Sequence, residues 1–309
     1  MSTAADGGPT ESRTDESIAR LGAAMPWIAR IGWLVVAVVG GSAVESAVDG
    51  RSDAVAWTAA IGSWTVWAIV AAALAIASVR SLTVTRVGAP LALAAAAATA
   101  LGGAPALDVI LLAGPALVVG AAIASAEFGR RFVQASAYGD EQRFLLKLPV
   151  AAGTAAIVSW LVWAPTLLAG PLLLAVRSWI LAVLVSAVAV AGIIFVGPRW
   201  HRLSMRWFVL VPAGAVVHDP VVLADTLTMR TAQIAALRLA PADTEAADLT
   251  GPASGYAIEI STTETLTAVF AYTPTDPDGR AVHLRSFLIA PSRPGHALRA
   301  ARARGLPVT

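Results

Sequence analysis

The first two thirds of the chain consist of long apolar runs separated by short polar connections, whereas the last third alternates apolar and polar residues. A helix needs about 20 mostly apolar residues to cross the hydrocarbon core of a bilayer. Runs of that length predict spanning helices over residues 26–44, 54–79, 87–107, 109–126, 149–169 and 172–197. The pattern therefore predicts an α-helical transmembrane bundle of about six helices within residues 21–198.

The predicted number of helices depends on two segments. Residues 87–107 are mainly alanine, and four or five helices are the alternative if this segment does not insert. The stretch from Leu148 to Pro198 contains one charged residue, Arg177, and at 1.5 Å per residue it is about 75 Å long. Because that length is more than twice the bilayer core, the stretch holds two helices, and Gly170-Pro171 is the predicted turn between them.

Basic residues dominate every second connection, beginning on the N-terminal side of the first predicted helix. They are Arg13, Arg20 and Arg30; Arg80 and Arg86; Arg130, Arg131, Arg143 and Lys147; and Arg199, Arg202 and Arg206. Cytoplasmic connections carry such an excess, which predicts a multi-pass protein of the plasma (inner) membrane with both termini in the cytoplasm. Residues 1–20 are polar and lack the basic stretch of a signal peptide, so we expect a disordered cytoplasmic tail.

After Pro198 the apolar runs become short and alternate with polar positions. Segments with this pattern, each predicted to be a strand, are residues 206–211, 214–218, 221–227, 232–239, 256–261, 266–272 and 281–289. Turn residues separate them, as in Asp276–Gly279. A helix then follows, with Ser292 as its N-cap and Gly305 at its end. Residues 199–309 are therefore predicted to form a small antiparallel β-sandwich or barrel with a C-terminal helix.

Two segments carry a resemblance to a known family: WFVLVPAGAVVHDP, the first predicted hairpin, and FLIAPSRPGHALRAARARGLP, the last strand running into the helix. This order resembles a bacterial PH-like domain attached to a membrane protein. The resemblance covers residues 199–309 and implies a helix that closes one end of a curved sheet held at the inner leaflet. It does not imply phosphoinositide binding, because lipid-binding members carry a basic cluster where this chain has the uncharged loop 212–214.

The connection over residues 127–148 is too long for a turn. One interpretation is a pair of helix extensions with an amphipathic segment on the membrane surface, because Phe128, Phe132 and Phe144 lie among charged residues. The other interpretation is two helix ends joined at Tyr138–Asp140. Periodicity over so short a window does not decide between them.

Composition and motifs restrict the chemistry of the chain. It is 57% hydrophobic and 14% charged, against about 25% charged in soluble domains, which indicates a lipid bilayer as its partner. A net charge of +2 argues against a nucleic-acid partner. There is no cysteine, no phosphate-binding or dinucleotide-binding glycine motif, and no HExxH or GxSxG. His201, His218, His283 and His296 are widely spaced, so we predict no catalytic, cofactor-binding or metal-binding residues and no enzyme.

Charged residues near the outer ends of the helices are the remaining candidates for a site. Arg177, Asp108 and Glu45 are predicted on the same side of the membrane, where an unpaired charge costs a few kcal/mol. One hypothesis is that Arg177 pairs with Asp108 or Glu45 and lines a cavity open to the outside. The alternative is that Arg177 extends to lipid phosphates at the interface.

The sequence leaves the function open. We favour a non-catalytic scaffold or regulator that binds a protein partner at the cytoplasmic face through residues 199–309, since this fold class presents strand edges to peptides. A transporter or channel with a cytoplasmic regulatory domain is the alternative, suggested by Gly114-Pro115 and Pro165 within the predicted helices. A lipid-modifying enzyme has the least support, because its usual cluster of acidic, histidine or serine residues is missing.

Overall fold

The fold is given by a computed structural model that describes residues 9–271 and 280–309, with side chains from Gly22 onward. Within these ranges six helices are long and apolar enough to cross a membrane: Gly22–Val48, Asp53–Ala75, Val79–Leu101, Ala106–Ala124, Val150–Ala175 and Trp179–Ser204. A strand-rich region ending in a helix follows them. The chain is thus a multi-span membrane protein with a soluble β domain, which confirms the predicted fold class.

Most helices belong to the membrane region and most strands to the β domain, but β1 lies between two membrane-region helices. The helices are α1 (Pro9–Val48), α2 (Asp53–Ala75), α3 (Val79–Gly88), α4 (Leu91–Leu101), α5 (Ala106–Ala124), α6 (Ala126–Gln134), α7 (Val150–Ala175), α8 (Trp179–Ala191), α9 (Gly197–Ser204) and α10 (Pro294–Ala303). The strands are β1 (Gln142–Leu145), β2 (Trp207–Val211), β3 (Gly214–His218), β4 (Leu227–Arg230), β5 (Ile234–Leu239), β6 (Ala247–Asp248), β7 (Ile258–Val269) and β8 (Ala281–Ile289). Helix α1 begins inside the segment predicted to be a tail, and residues 1–8 lie outside the described residues.

The third span lies earlier in the chain than the predicted range 87–107. It consists of α3 and α4 and ends at Leu101, before a turn in which Gly103 has φ 94°. Pro90 interrupts the helix because proline has no N–H to donate to the preceding turn. The indole of Trp160 donates to the Val87 carbonyl at 2.9 Å, so a neighbouring helix provides a donor to the carbonyls at this break. The alanine-rich segment is therefore part of a helix long enough to span.

The fifth helix does not end at Gly170-Pro171, where the sequence predicts a turn. Helix α7 continues to Ala175, and the turn is formed by residues 176–178, with Arg177 at φ 63°. A Cβ at Gly170 would lie 2.6 Å from the Ser186 Oγ. The glycine thus allows α7 and α8 to approach closely. The turn lies at Arg177, the charged residue that interrupts the apolar run.

The β domain contains two four-stranded sheets, with strand orders β1-β2-β3-β4 and β5-β7-β8-β6. Neighbouring strands are antiparallel except for the two-residue β6, which runs parallel to β8. Apolar residues of both sheets and of α10 form one core, centred on fully buried residues such as Phe208, Leu237 and Phe287. This is the layered arrangement expected when two sheets bury their apolar faces together.

Several strands differ from the predicted ranges. Residues 221–227 are mostly a loop, and the strand is Leu227–Arg230. Residues 256–261 and 266–272 belong to one strand, Ile258–Val269, whose register shifts between Ser261 and Leu266. That irregularity breaks the alternation that made one strand look like two. Tyr272 and the predicted turn Asp276–Gly279 lie outside the described residues.

The connection over residues 127–148 contains a helix and a strand, and neither interpretation of its sequence describes it fully. Helix α6 packs Phe128 and Phe132 into the membrane-helix core, with ring centroids 4.3 Å apart. Strand β1 then joins the β domain, pairing from Gln142↔Leu210 to Leu145↔Trp207. The β domain therefore includes residues outside the predicted range 199–309.

This pairing gives the chain an unusual topology. Strands β1 and β2 are direct neighbours in the sheet, yet the whole hairpin from α7 to α9 lies between them in sequence. The two ends of the membrane hairpin are therefore fixed to adjacent strands of one sheet. A hydrogen-bonded strand pair is about 4.7–4.9 Å apart, so the hairpin and the β domain are joined at two closely spaced points.

Tryptophans serve two purposes in the membrane region. Trp27, Trp57 and Trp179 are more than half exposed, as expected of residues that anchor a helix at the bilayer surface. Trp163 and Trp200 are instead buried and pack edge to face with centroids 5.2 Å apart. The Trp163 indole donates to the Ala189 carbonyl and the Trp200 indole to the Ser159 hydroxyl, so both N–H groups are satisfied inside the bundle.

Candidate functional site

The three charged residues predicted as a site are not joined in the structure. Asp108, in the first turn of α5, accepts a hydrogen bond from the Ser46 hydroxyl of α1 at 2.8 Å. Arg177 lies in the turn between α7 and α8, and Glu45 lies near the end of α1. Among the described residues, no ion pair within 4.0 Å links Arg177 to either acid.

A buried ion pair lies instead at the junction of the membrane hairpin and the β domain. Arg206 follows α9 directly, and Asp219 ends the β2–β3 hairpin; each is at most 2% exposed. The Arg206 Nε and Nη2 atoms lie 2.7 Å from the two carboxylate oxygens of Asp219. This two-bond geometry is the strong form of an arginine–carboxylate contact.

The remaining donors and acceptors of this pair connect it to other segments. Arg206 donates to the carbonyl of Lys147, just before α7, and to that of Thr250 at 3.2 Å. The Asp219 Oδ1 accepts from the backbone N–H groups of Val221 at 3.1 Å and Val222 at 3.3 Å. A buried charge is tolerated only when it is paired and hydrogen-bonded in this way. Arg206 thus holds the start of α7 and the end of α9 against the β domain.

The sequence predicts Arg206 in a basic connection and at the start of a strand, and Asp219 in the turn that follows the first hairpin. An arginine after a membrane helix is the ordinary pattern of a lipid-facing cytoplasmic residue. Nothing in the sequence distinguishes that pattern from a buried arginine whose partner is thirteen positions away. Only the folded hairpin β2–β3 brings the two residues together.

The histidines lie apart from one another, each against a different neighbour. The His218 ring stacks on Trp207 with centroids 4.9 Å apart, and its Nδ1 lies 3.0 Å from the Thr226 hydroxyl. Burial lowers the pKa of His218, the charge of Arg143 lowers it further, and Asp219 opposes the shift. Within residues 9–271 and 280–309, no three histidine or acidic side chains are grouped as metal ligands would be.

A groove lies between β5 and α10 at the edge of the second sheet. Strand β5 has only β7 as a strand neighbour, and residues 307–309 run along its other side. The Leu237 N–H donates to the Pro307 carbonyl at 2.8 Å, and the Thr309 N–H donates to the Leu237 carbonyl at 3.0 Å. Leu237 and Val308 therefore form a parallel bridge. Residues 307–309 thus act as a short strand added to the edge of β5.

The groove beside this bridge has a volume of about 450 Å³ and a basic lining. Arg238 and Leu239 of β5 form one wall, and Leu298, Arg299 and Arg302 of α10 form the other. Arg238 pairs with the buried Glu259 at 2.9 Å. Arg299 and Arg302 are exposed, and no acidic residue is among the described residues that line the groove. The groove thus places the exposed guanidinium groups of Arg299 and Arg302 beside a strand edge whose Leu237 main chain is already paired with residues 307–309.

Comparisons with protein-family models, curated proteins and solved structures returned no significant match to this chain.

Proposed function

We propose that this membrane protein is a non-catalytic docking protein, whose β domain is PH-like and binds an extended, acidic segment of a partner protein along β5. The observation that carries the proposal is the basic groove at Leu239, beyond the position that residues 307–309 already occupy. Their pairing with Leu237 shows that this edge of β5 accepts a parallel strand. Peptides that add a strand to a sheet edge gain affinity from main-chain hydrogen bonds. The exposed Arg299 and Arg302 favour a segment with acidic side chains.

The order of the elements supports the PH-like assignment. Strands β1–β4 form one antiparallel sheet, and β5, β7 and β8 form the other, with only the two-residue β6 in addition. Helix α10 follows the last strand and buries Ala297 and Ala301 in the core. Seven longer strands and a closing helix are what the resemblance implies, with the difference that the first strand comes from the connection between spans.

We place the β domain in the cytoplasm, because it lies beyond the ends of α5 and α9, where basic residues are concentrated. The chain has no cysteine, so single cysteines report accessibility directly. A cysteine at Ser52, exposed in the loop between α1 and α2, should react with an impermeant maleimide in intact cells. A cysteine at the exposed Ser136, after α6, should react only after permeabilisation, and the reverse result would refute this orientation.

Docking on β5 is tested by placing a photo-crosslinking residue at Leu239, which is 50% exposed in the groove. We expect a crosslinked product that maps to one acidic, extended segment of one partner. Arg299→Glu with Arg302→Glu should reduce its yield about tenfold or more, because like charges facing each other strongly disfavour binding. The matched control is the same crosslinker at Thr228, exposed on the edge strand β4. Equal products from both positions, or no effect of the charge reversal, would count against docking at β5.

A transporter or channel regulated by the β domain is the second candidate. The observation that favours it is the double attachment of the hairpin from α7 to α9, together with the π-helical segment Gly192–Val196 inside the sixth span. Such segments frequently occur at functional sites. Flux measurements on reconstituted protein over a broad substrate panel test this candidate, and the absence of transport would weaken it.

A further inference from the structure

A second cleft, of about 550 Å³, lies on a different face of α10, between this helix and the segment from α6 to β1. Polar and charged side chains line most of it, namely Arg130, Gln134, Asp140, Gln142, Arg143, His296 and Arg304, of which Asp140 is the one acid. Phe144 forms its apolar side and meets the His296 ring edge to face, with centroids 5.7 Å apart. These side chains supply many hydrogen-bond donors around one concave surface.

Acidic residues near the cleft neutralise this charge only in part. Glu127 is shared by two guanidinium groups, with Arg130 Nε at 3.2 Å and Arg293 Nε at 3.0 Å. Arg304 contacts Asp140 at 2.9 Å, but the Asp140 side chain is 80% exposed. The Arg304 side chain is 15% exposed and also donates to the Asp140 carbonyl at 2.8 Å. Because the Asp140 carboxylate lies in solvent, its ion pair is weak, and a phosphate can compete with that carboxylate for Arg304.

Two further residues are consistent with a positive potential in the cleft. The pKa of His296 is lowered by burial and then by the charges of Arg130 and Arg299, which outweigh the opposing effect of Glu127. Arg143 is held by Glu141 at 2.8 Å, and its hydrogen bond lowers the pKa of that carboxyl. All three arginines thus have acidic partners. Glu127 is shared between two arginines and Asp140 is exposed, so Arg130 and Arg304 are the two that an incoming anion would engage.

The cleft lies next to the bilayer. Helix α5 ends at Ala124 and α6 begins at Ala126. Two Cα steps of about 3.8 Å and four helical residues at about 1.5 Å each keep the Arg130 Cα within about 14 Å of the end of the span. The headgroup layer on each side of the hydrocarbon core is about 5–7 Å thick, so Arg130 lies in or just beyond that layer.

We propose that this cleft binds the phosphate headgroup of an anionic phospholipid from the adjacent leaflet. Guanidinium groups bind phosphate oxygens through paired hydrogen bonds, and Arg130 and Arg304 supply two such groups on opposite walls. Gln134 and Gln142 add neutral donors for the rest of the headgroup. The inference is independent of the proposed docking at β5, because it uses a different face of α10.

The test compares the full chain in nanodiscs of phosphatidylcholine alone and in an equal mixture with phosphatidylglycerol. We expect phosphatidylglycerol to raise the thermal unfolding midpoint and to be retained in native mass spectrometry. Arg130→Gln with Arg304→Gln should weaken retention about tenfold and remove most of the thermal shift. The midpoint of this variant in phosphatidylcholine alone shows whether it still folds.

The matched control is Arg199→Gln with Arg202→Gln, which removes the same charge from α9, outside the cleft. This variant should keep the lipid-dependent shift. Equal losses in both variants would mean general attraction to an anionic surface and would overturn the site. Equal protection by soluble glycerol phosphate in phosphatidylcholine discs would also overturn it, because the ligand would then be a soluble anion.

Discussion

Replacing Arg206 by methionine is expected to destabilise the β domain by about 3–5 kcal/mol, the usual cost of leaving one buried charge without its partner. Asp219 would remain 2% exposed with no cation beside it. The carbonyls of Lys147 and Thr250 would also lose their donor. Because Arg206 joins the two ends of the membrane hairpin, the loss should also loosen the start of α7. Thermal unfolding in detergent, followed by limited proteolysis of the β domain, measures both effects.

The control is Arg202→Met, an exposed arginine four positions earlier, which should change stability by about 0.5 kcal/mol or less. A double variant, Arg206→Met with Asp219→Leu, should recover part of the loss, because apolar side chains replace buried ion pairs at little cost. Recovery should be incomplete, since the backbone groups of Val221 and Val222 would lose their acceptor. If Arg206→Met unfolds at the same temperature as the original chain, the ion pair does not hold the junction.

Gly214→Ala is expected to destabilise the first sheet by at least about 2–4 kcal/mol. Gly214 has φ 150°, and a Cβ there would lie 2.0 Å from the Met229 carbonyl oxygen and 2.9 Å from the Arg230 Cα. The clash is with backbone on the paired strand β4, so a side-chain movement cannot relieve it. The register Gly214↔Arg230 would have to break. Thermal unfolding and protease protection of β4 measure the loss.

Gly305→Ala separates the two causes of the loss expected for Gly214→Ala, which are the positive φ and the clash with β4. Gly305 also has positive φ, 75°, but a Cβ there meets nothing within 4 Å. Its substitution should therefore cost only the backbone term of about 1–2 kcal/mol. A Gly214→Ala loss no greater than that of Gly305→Ala would show that the close approach to β4 contributes nothing.

The lengths of the apolar runs predicted the six membrane helices correctly, because the length of such a run is a local property of the sequence. Each span needs a continuous apolar run, and even the alanine-rich segment belongs to one such helix. The predicted helix ends were less accurate than the predicted helices. Pro171 lies within α7, because neighbouring helices and local adjustments satisfy the carbonyls that a proline leaves free. The turn at Arg177 instead requires a left-handed backbone that the residue type does not favour.

Almost none of the contacts that form the candidate sites could be predicted from the sequence. Arg177, Asp108 and Glu45 share an end of the bundle, but their distances depend on how helices rotate against one another. Arg206 and Asp219 become partners only when β2 and β3 fold back on each other. The two clefts on α10 likewise depend on β5 and on the α6–β1 segment packing beside it.

The period and length of the apolar runs indicate the class of this protein, a bundle of membrane helices followed by short strands and a helix, because they reflect local burial. The tertiary structure alone decided that Gln142–Leu145 pairs with β2 and that the fifth and sixth spans are inserted between two neighbouring strands. A four-residue strand has too few positions for its alternation to be distinctive. Its place is set by backbone hydrogen bonds to a segment some sixty residues away and by the buried Arg206 that fixes both ends of the hairpin.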